Sequence, residues 1–161
     1  MRFIPDKTIF PGFSFNLDFV RKSLWRNACL NSGLKLYLNG ELIHSTKGLL
    51  DLLDKETEVA KIYESIHCKG KTLEFAFSHT DGHGKAYFSF VNGTYWKEVN
   101  LAFRFAFSRH ISAFCDGILK GIKEYSGKKF IDADLRNGLQ LALSIKIRDT
   151  MPIVMSRIRV V

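Results

Sequence analysis

Residues 99–125 read VNLAFRFAFSRHISAFCDGILKGIKEY. Phe103, Phe107, Ile111, Phe114, Ile118 and Ile122 recur at intervals of 4, 4, 3, 4 and 4, the spacing that gathers side chains on one face of an α-helix. The opposite face, on this reading, carries Arg104, Ser108, Ser112, Asp116, Lys120 and Lys123. Burying one Phe is worth roughly 1.5–3 kcal/mol, so six such side chains make this a principal core helix that needs an apolar sheet to lie on. Gly127 ends it.

The flanking sequence supplies that sheet. Leu73, Phe75 and Phe77 alternate with Thr72, Glu74 and Ser78, and Ala86, Phe88 and Phe90 alternate with Tyr87, Ser89 and Val91. Between them His79 to Gly84 is turn-forming, which predicts an antiparallel hairpin with one Phe-rich buried face. Beyond the helix, Asp132 to Asn137 reads as a helical turn, and Leu139, Leu141, Leu143, Ile145 and Ile147 as an alternating strand. Upstream, Ile62 to His67 is a candidate strand, and Leu49, Leu50, Leu52 and Leu53 a short helix. Leu34, Leu36 and Leu38 form a strand that Asn39-Gly40 turns back into Leu42-Ile43-His44. Leu17, Val20, Leu24 and Ala28 set a helix between Asn16 and Asn31, capped by Asn16 or Ser14 and stopped at Gly33. The chain opens with a short strand at Phe3-Ile4-Pro5 and a turn-rich connection through Ile9 to Gly12. Mixed elements with antiparallel pairing predict an α+β sandwich of one sheet and a few helices.

Composition narrows the class. Of 161 residues 46% are apolar and 14 are Phe, which excludes disorder, and the length suits one domain. No apolar run approaches the ~18 residues of a membrane span, and the N-terminus lacks an apolar signal segment. Cys29, Cys68 and Cys115, odd in number and widely spaced, fit a reducing cytoplasm. A net charge of +8 favours an anionic partner such as nucleic acid.

Local chemistry is sparse. His79, Asp81 and His83 sit in a glycine-rich turn and read as turn residues before they read as a metal site. His67 and Cys68 are strand neighbours pointing to opposite faces, so they do not form a nucleophile pair. Asp116, Asp132 and Asp134 make no recognisable acid/base pair, and no phosphate-binding loop or nucleophile elbow occurs. These residues supply no catalytic, cofactor-binding or metal site. Arg104 and Arg109, with Lys120 and Lys123 beyond, are the candidates to meet phosphates.

In order along the chain, Arg2-Phe3-Ile4-Pro5-Asp6-Lys7-Thr8-Ile9-Phe10, LWRNACLNSG (24–33), YFSFVN (87–92), Phe103-Arg104 with Ser108-Arg109, and Asp134-Leu135-Arg136-Asn137-Gly138-Leu139 followed by Leu143-Ser144-Ile145-Lys146-Ile147 form a series. That series resembles the transducer domain of bacterial type IIA DNA topoisomerase B subunits, those of DNA gyrase and topoisomerase IV. The resemblance implies a ribosomal-protein-S5-domain-2-like fold, a mixed, mostly antiparallel sheet packed against a long helix. It divides the chain into 1–31 (the end strand and connecting helix from the ATPase-domain junction), 32–150 (the transducer domain) and 151–161 (an atypical C-terminal tail). It implies a part of a cytoplasmic enzyme that couples ATP binding and hydrolysis to passage of one DNA duplex through another. ATP and Mg2+, a topoisomerase A subunit and a second B subunit are then expected for the full-length enzyme, with no cofactor held in this chain and no membrane partner. Arg104 matches an arginine lining the family's DNA cavity. Trp96 to Asn100 replaces a Gly-Gly-Thr-His segment, Asn137 stands where the family has an acid, and 151–161 lacks the Gln-Thr-Lys loop that reaches ATP. The abrupt first strand and unfamiliar end are expected of an excised fragment or a truncated gene product, inactive alone. The alternative is a stand-alone basic S5-like domain that binds RNA or the ribosome.

Overall fold

A computed structural model describes residue 6 and residues 8–57, 59–82, 84–96, 101–128 and 131–147. The expected strand at Phe3-Ile4-Pro5, the side chain of His83 and the tail 151–161 lie outside these described residues.

Helix α1 (Leu17–Leu30) starts where Asn16 accepts a hydrogen bond from the Phe19 backbone N–H at 3.1 Å, satisfying one of the free donors of the first turn. Strands β1 (Lys35–Leu38) and β2 (Glu41–His44) form the hairpin expected at Asn39-Gly40, both of whose φ angles are positive, 52° and 87°. Helix α2 (Leu49–Glu56) is held at its start by Asp51, whose Oδ2 accepts from Ser45 Oγ and from the N–H groups of Thr46 and Lys47. The remaining elements are β3 (Ile66–Lys69), β4 (Leu73–His79), β5 (Ala86–Val91), β6 (Thr94–Trp96), α3 (Leu101–Ser126), α4 (Asp132–Arg136) and β7 (Leu139–Ile145).

The five-stranded sheet has the order β3-β4-β7-β5-β6. This corrects the expected β4–β5 hairpin. β7 lies between them, antiparallel to β4 and parallel to β5. Two facts of the sequence allow it. The connection from Thr80 to Lys85 is long enough to cross the ~10 Å of two strand spacings. β7 also buries both faces: Leu139, Leu141 and Leu143 on one, Gln140, Ala142 and Ser144 on the other, none more than 9% exposed. A parallel β5–β7 pair needs a long crossover, and α3 with α4 supplies it. β3 is shorter than the expected Ile62–His67 and runs later; upstream of it, Lys61 bridges Thr80 and the Ile62 N–H bonds to the His79 carbonyl oxygen.

The Phe residues divide between the sheet's two faces instead of sharing one. Phe75 and Phe77 meet Phe114 of α3 with ring centroids 5.2 and 5.6 Å apart, in a core with Ile111, Cys115, Leu135 and the β7 leucines. Phe88 and Phe90 point the other way, packing with Cys29, Leu49, Leu52, Leu53, Ala76 and Ala142. The result is three layers: α1 and α2, the sheet, then α3 and α4.

Candidate nucleic-acid interface

Helix α3 bears the basic residues singled out above. Arg109, Asp116, Lys120 and Lys123, spaced by 7, 4 and 3, are all exposed or nearly so and form one stripe along its outer side. Lys120 pairs with Glu124 across one turn at 4.0 Å, with both side chains largely solvated, so the pair does little to hold either in place. Ser112, also expected on the outer face, instead turns toward α4 and accepts from the Arg136 guanidinium at 3.2 Å.

Arg104 belongs to the α3 backbone, but its side chain, with those of residues 101–108, lies outside the described residues. At 100° per residue it falls in line with Ile111 and Cys115, seven and eleven positions on. Those two are 2% and 0% exposed. Among the residues whose side chains are described, the polar stripe starts at Arg109.

Around the start of β7, α4 is pinned by its own charges. Arg136 pairs with Asp132 at 2.5 Å, and the Ile131 N–H bonds to Asp134 at 3.2 Å. A cleft of about 560 Å³ beside it is lined by Lys85, Asp132, Asp134, Arg136 and Asn137, two cations against two carboxylates. Such a balance gives no preference for phosphate. Gly138 then turns the chain at φ +67°, so close to Thr80 that a Cβ there would lie 2.2 Å from the Thr80 carbonyl oxygen.

The histidines and cysteines that the structure describes serve the fold. His79 Nε2 donates to the Leu135 carbonyl oxygen at 2.7 Å, so its Nδ1 is the acceptor for the Tyr63 hydroxyl at 2.5 Å. Both ring nitrogens are thus used inside the protein, and among the described residues no cluster of three metal-ligating side chains occurs. His67 bonds to Glu74 at 3.1 Å, and Cys68 beside it is exposed. Burial pushes the Cys29 thiol up to about 11 and the Cys115 thiol upward as well, which leaves neither as a thiolate near neutrality. Burial also lowers the pKa of His110, whose Nδ1 lies 3.5 Å from Ser89 Oγ beneath α3.

The residue pattern includes Asn92 only as the end of YFSFVN, yet its side chain and backbone make three hydrogen bonds to the end of β7 and the residues after it. A local signal for it exists. Asn92-Gly93 repeats the dipeptide of the first hairpin, with φ 48° and 81°, and joins β5 to β6.

No family model matches the chain. It is 37% identical over 150 residues to the B subunit of DNA topoisomerase 4 from Borreliella burgdorferi, an alignment covering 92% of this chain and 24% of that protein. The chain thus spans about a quarter of the length of the curated relatives it matches. Among solved structures it is similar to the 43K ATPase domain of Thermus thermophilus gyrase B, with a TM-score of 0.66 at 22% identity over 90% of this chain and 43% of that one. The ATP-binding domain of Francisella tularensis topoisomerase IV gives 0.67 at 21% identity, over 90% and 42%. No helix among the described residues is long and apolar enough to cross a membrane. With the three-layer α+β architecture and this similarity over nearly the whole chain, the protein is a homologue of one segment, about a quarter, of the B subunits of DNA topoisomerase 4 and DNA gyrase.

Proposed function

We propose that this chain acts as the transducer element of an ATP-dependent type II DNA topoisomerase B subunit, relaying nucleotide-driven closure to passage of a DNA duplex. The 37% identity to a topoisomerase 4 B subunit over 92% of the chain carries this reading. The three layers suit it physically, because α3 from Ile111 to Ile122 packs in one core with a central strand buried on both faces, the kind of unit that can turn as a rigid body. ATP and Mg2+ would, in this proposal, be held by other parts of such an enzyme. A topoisomerase A subunit, a second B subunit and a cytoplasmic setting belong to the same proposal. The test is a chimera in which residues 16–147 replace the matching segment of the Borreliella burgdorferi protein, assayed with its A subunit for ATP-dependent decatenation. Retained decatenation supports the reading. A folded chimera that hydrolyses ATP but passes no DNA refutes it, and tight binding of the isolated chain to structured RNA in preference to DNA would favour the stand-alone binding domain instead.

Within this proposal Arg104 meets the duplex. Tyr87 packs in one cluster with Cys115, and Ser89 Oγ lies 3.5 Å from His110 Nδ1, so α3 and β5 run in opposite directions. From Ser89 the strand has two residues left, about 6.6 Å at 3.3 Å per residue. From His110 back to Arg104 the helix covers about 9 Å at 1.5 Å per residue. The α3 backbone therefore passes the end of β5 at Val91 before it reaches Arg104. In the chimera, Arg104→Ala should lower the slope of log affinity for DNA against log salt by about 1 and leave the melting temperature unchanged. An unchanged slope with a lowered melting temperature would place Arg104 in the core.

A further inference from the structure

β5 and β7 pair in parallel up to Val91 and Ile145, where β5 leaves the ladder and turns back through Asn92-Gly93. The chain of β7 continues to Ile147 with no strand residue beside it on that side among the described residues. Asn92 fills the gap with its side chain. Its Oδ1 accepts from the Ile147 N–H at 2.9 Å and its Nδ2 donates to the Ile147 carbonyl oxygen at 3.1 Å, while its own N–H bonds to the Ile145 carbonyl oxygen at 2.9 Å. A primary amide presents one donor and one acceptor side by side, as a strand residue does, so it completes a two-bond pairing after the backbone has departed. Asn also tolerates the φ of 48° that the turn requires. The pairing is with backbone alone, so it holds whatever side chain stands at position 147.

From this geometry we propose that Asn92 is a latch that makes the β5–β6 turn and the exit of β7 at Ile147 move as one body, so that a displacement at Ile147 is passed to that hairpin. The latch ties the two places where the sheet is entered from and left toward the rest of the chain, and it does so 55 residues apart in sequence. Without it the ladder on the β5 side would end at the bond from Asn92 to Ile145, and past that point only the Lys146 N–H, bonded to the Thr72 carbonyl oxygen at 2.7 Å, would hold the exit of β7 to the sheet.

The test is amide hydrogen exchange by NMR on the 161-residue chain. In the wild type, the amides of Asn92 and Ile147 should open together, with the same protection and the same dependence on low concentrations of urea. Asn92→Gly keeps the turn, because glycine suits φ above zero, and removes only the side chain. It should speed exchange at Ile147 about tenfold and split its urea dependence from that of residue 92, with the amides of Ser89 to Thr94 otherwise unchanged. Asn92→Ala, which also strains the turn, should loosen both. The proposal is overturned if Asn92 and Ile147 already exchange independently in the wild type, if Asn92→Gly leaves Ile147 as protected as before, or if it loosens the whole hairpin equally.

Discussion

Gly138→Ala should be the most damaging single-methyl change in the described residues, and the cost can be built up from its surroundings. The φ of +67° puts an L-residue in the left-handed region, worth roughly 1–2 kcal/mol. The added Cβ would lie 2.2 Å from the Thr80 carbonyl oxygen and 3.0 Å from that of Gly82, both backbone atoms with no side-chain torsion to relieve them. Forced backbone shifts of this kind cost typically ~1–3 kcal/mol. The shift acts on a buried joint, since the Thr80 N–H bonds to the Gly138 carbonyl oxygen at 2.9 Å and Thr80 Oγ1 reaches the same atom at 3.3 Å. Weakening that joint adds about 1 kcal/mol. The total, about 3–6 kcal/mol, rivals the whole stability of many domains. Urea unfolding followed by circular dichroism gives the difference, and Gly127→Ala is the matched control. Gly127 has the same φ of +67° but nothing within 4 Å of its Cβ position, so it should cost only the ~1–2 kcal/mol of conformation. If the two variants lose the same stability, the close approach of Thr80 has no energetic weight and the explanation of the Arg136-Asn137-Gly138-Leu139 motif fails.

Asp51→Ala should cost about 2 kcal/mol, because it strips the start of α2 of an acceptor for three donors. Burial pushes the Asp51 carboxyl up, but the bonds from Lys47, Ser45 and Thr46 outweigh it and hold the pKa below its ordinary value. Its contribution is therefore full above the unfolded pKa near 4 and is lost as pH falls through the lower folded value; urea midpoints from pH 5 down to pH 3 should fall more steeply in the wild type than in Asp51→Ala, and parallel curves would count against the cap. His110 works in the other window. Burial disfavours its charged form, so below pH about 6.5 the unfolded chain takes up a proton before the folded one does, and stability declines. Between pH 8 and pH 5.5 the wild type should lose more of its urea midpoint than His110→Gln, and an equal loss would show that His110 is not desolvated beneath α3.

How much of the fold can be read from the residues depends on whether the signal is local. The turn at Asn39-Gly40, the Asn16 cap and the apolar face of α3 from Ile111 to Ile122 each rest on local signals, and each is where the residue pattern puts it; Phe103 and Phe107 lie outside the described side chains. Strand neighbours are another matter. A period of two says which side chains share a face, but it does not say which strand lies alongside, and only proximity in sequence pairs β4 with β5. The residues that break that pairing are Gln140, Ala142 and Ser144, short or amide side chains on the second face of β7 that are all buried. An alternating strand at a sheet edge would expose them. Their burial follows from the α1–α2 layer covering that face of β7, and only the assembled layers reveal it.

The candidate site shows the same division between step and sum. A spacing of four residues looks like a constant face, but each step advances the helix by about 400°, a drift of roughly 40°. Ser112, Asp116 and Lys120 accordingly wind outward along the helix toward the exposed stripe. Ser112, midway along, is already turned toward Arg136 of α4, and Asp116 and Lys120 reach solvent. What the residue pattern does contain is Arg109, which stands seven positions before Asp116 and eleven before Lys120 on the exposed side. The two arginines therefore answer different questions. Arg109 can attract an anion along the outer side of α3 whatever lies beyond the sheet. Arg104 meets a phosphate only if the proposed function holds and α3 outruns β5, so its proposed role is tied to where that strand ends, at Val91.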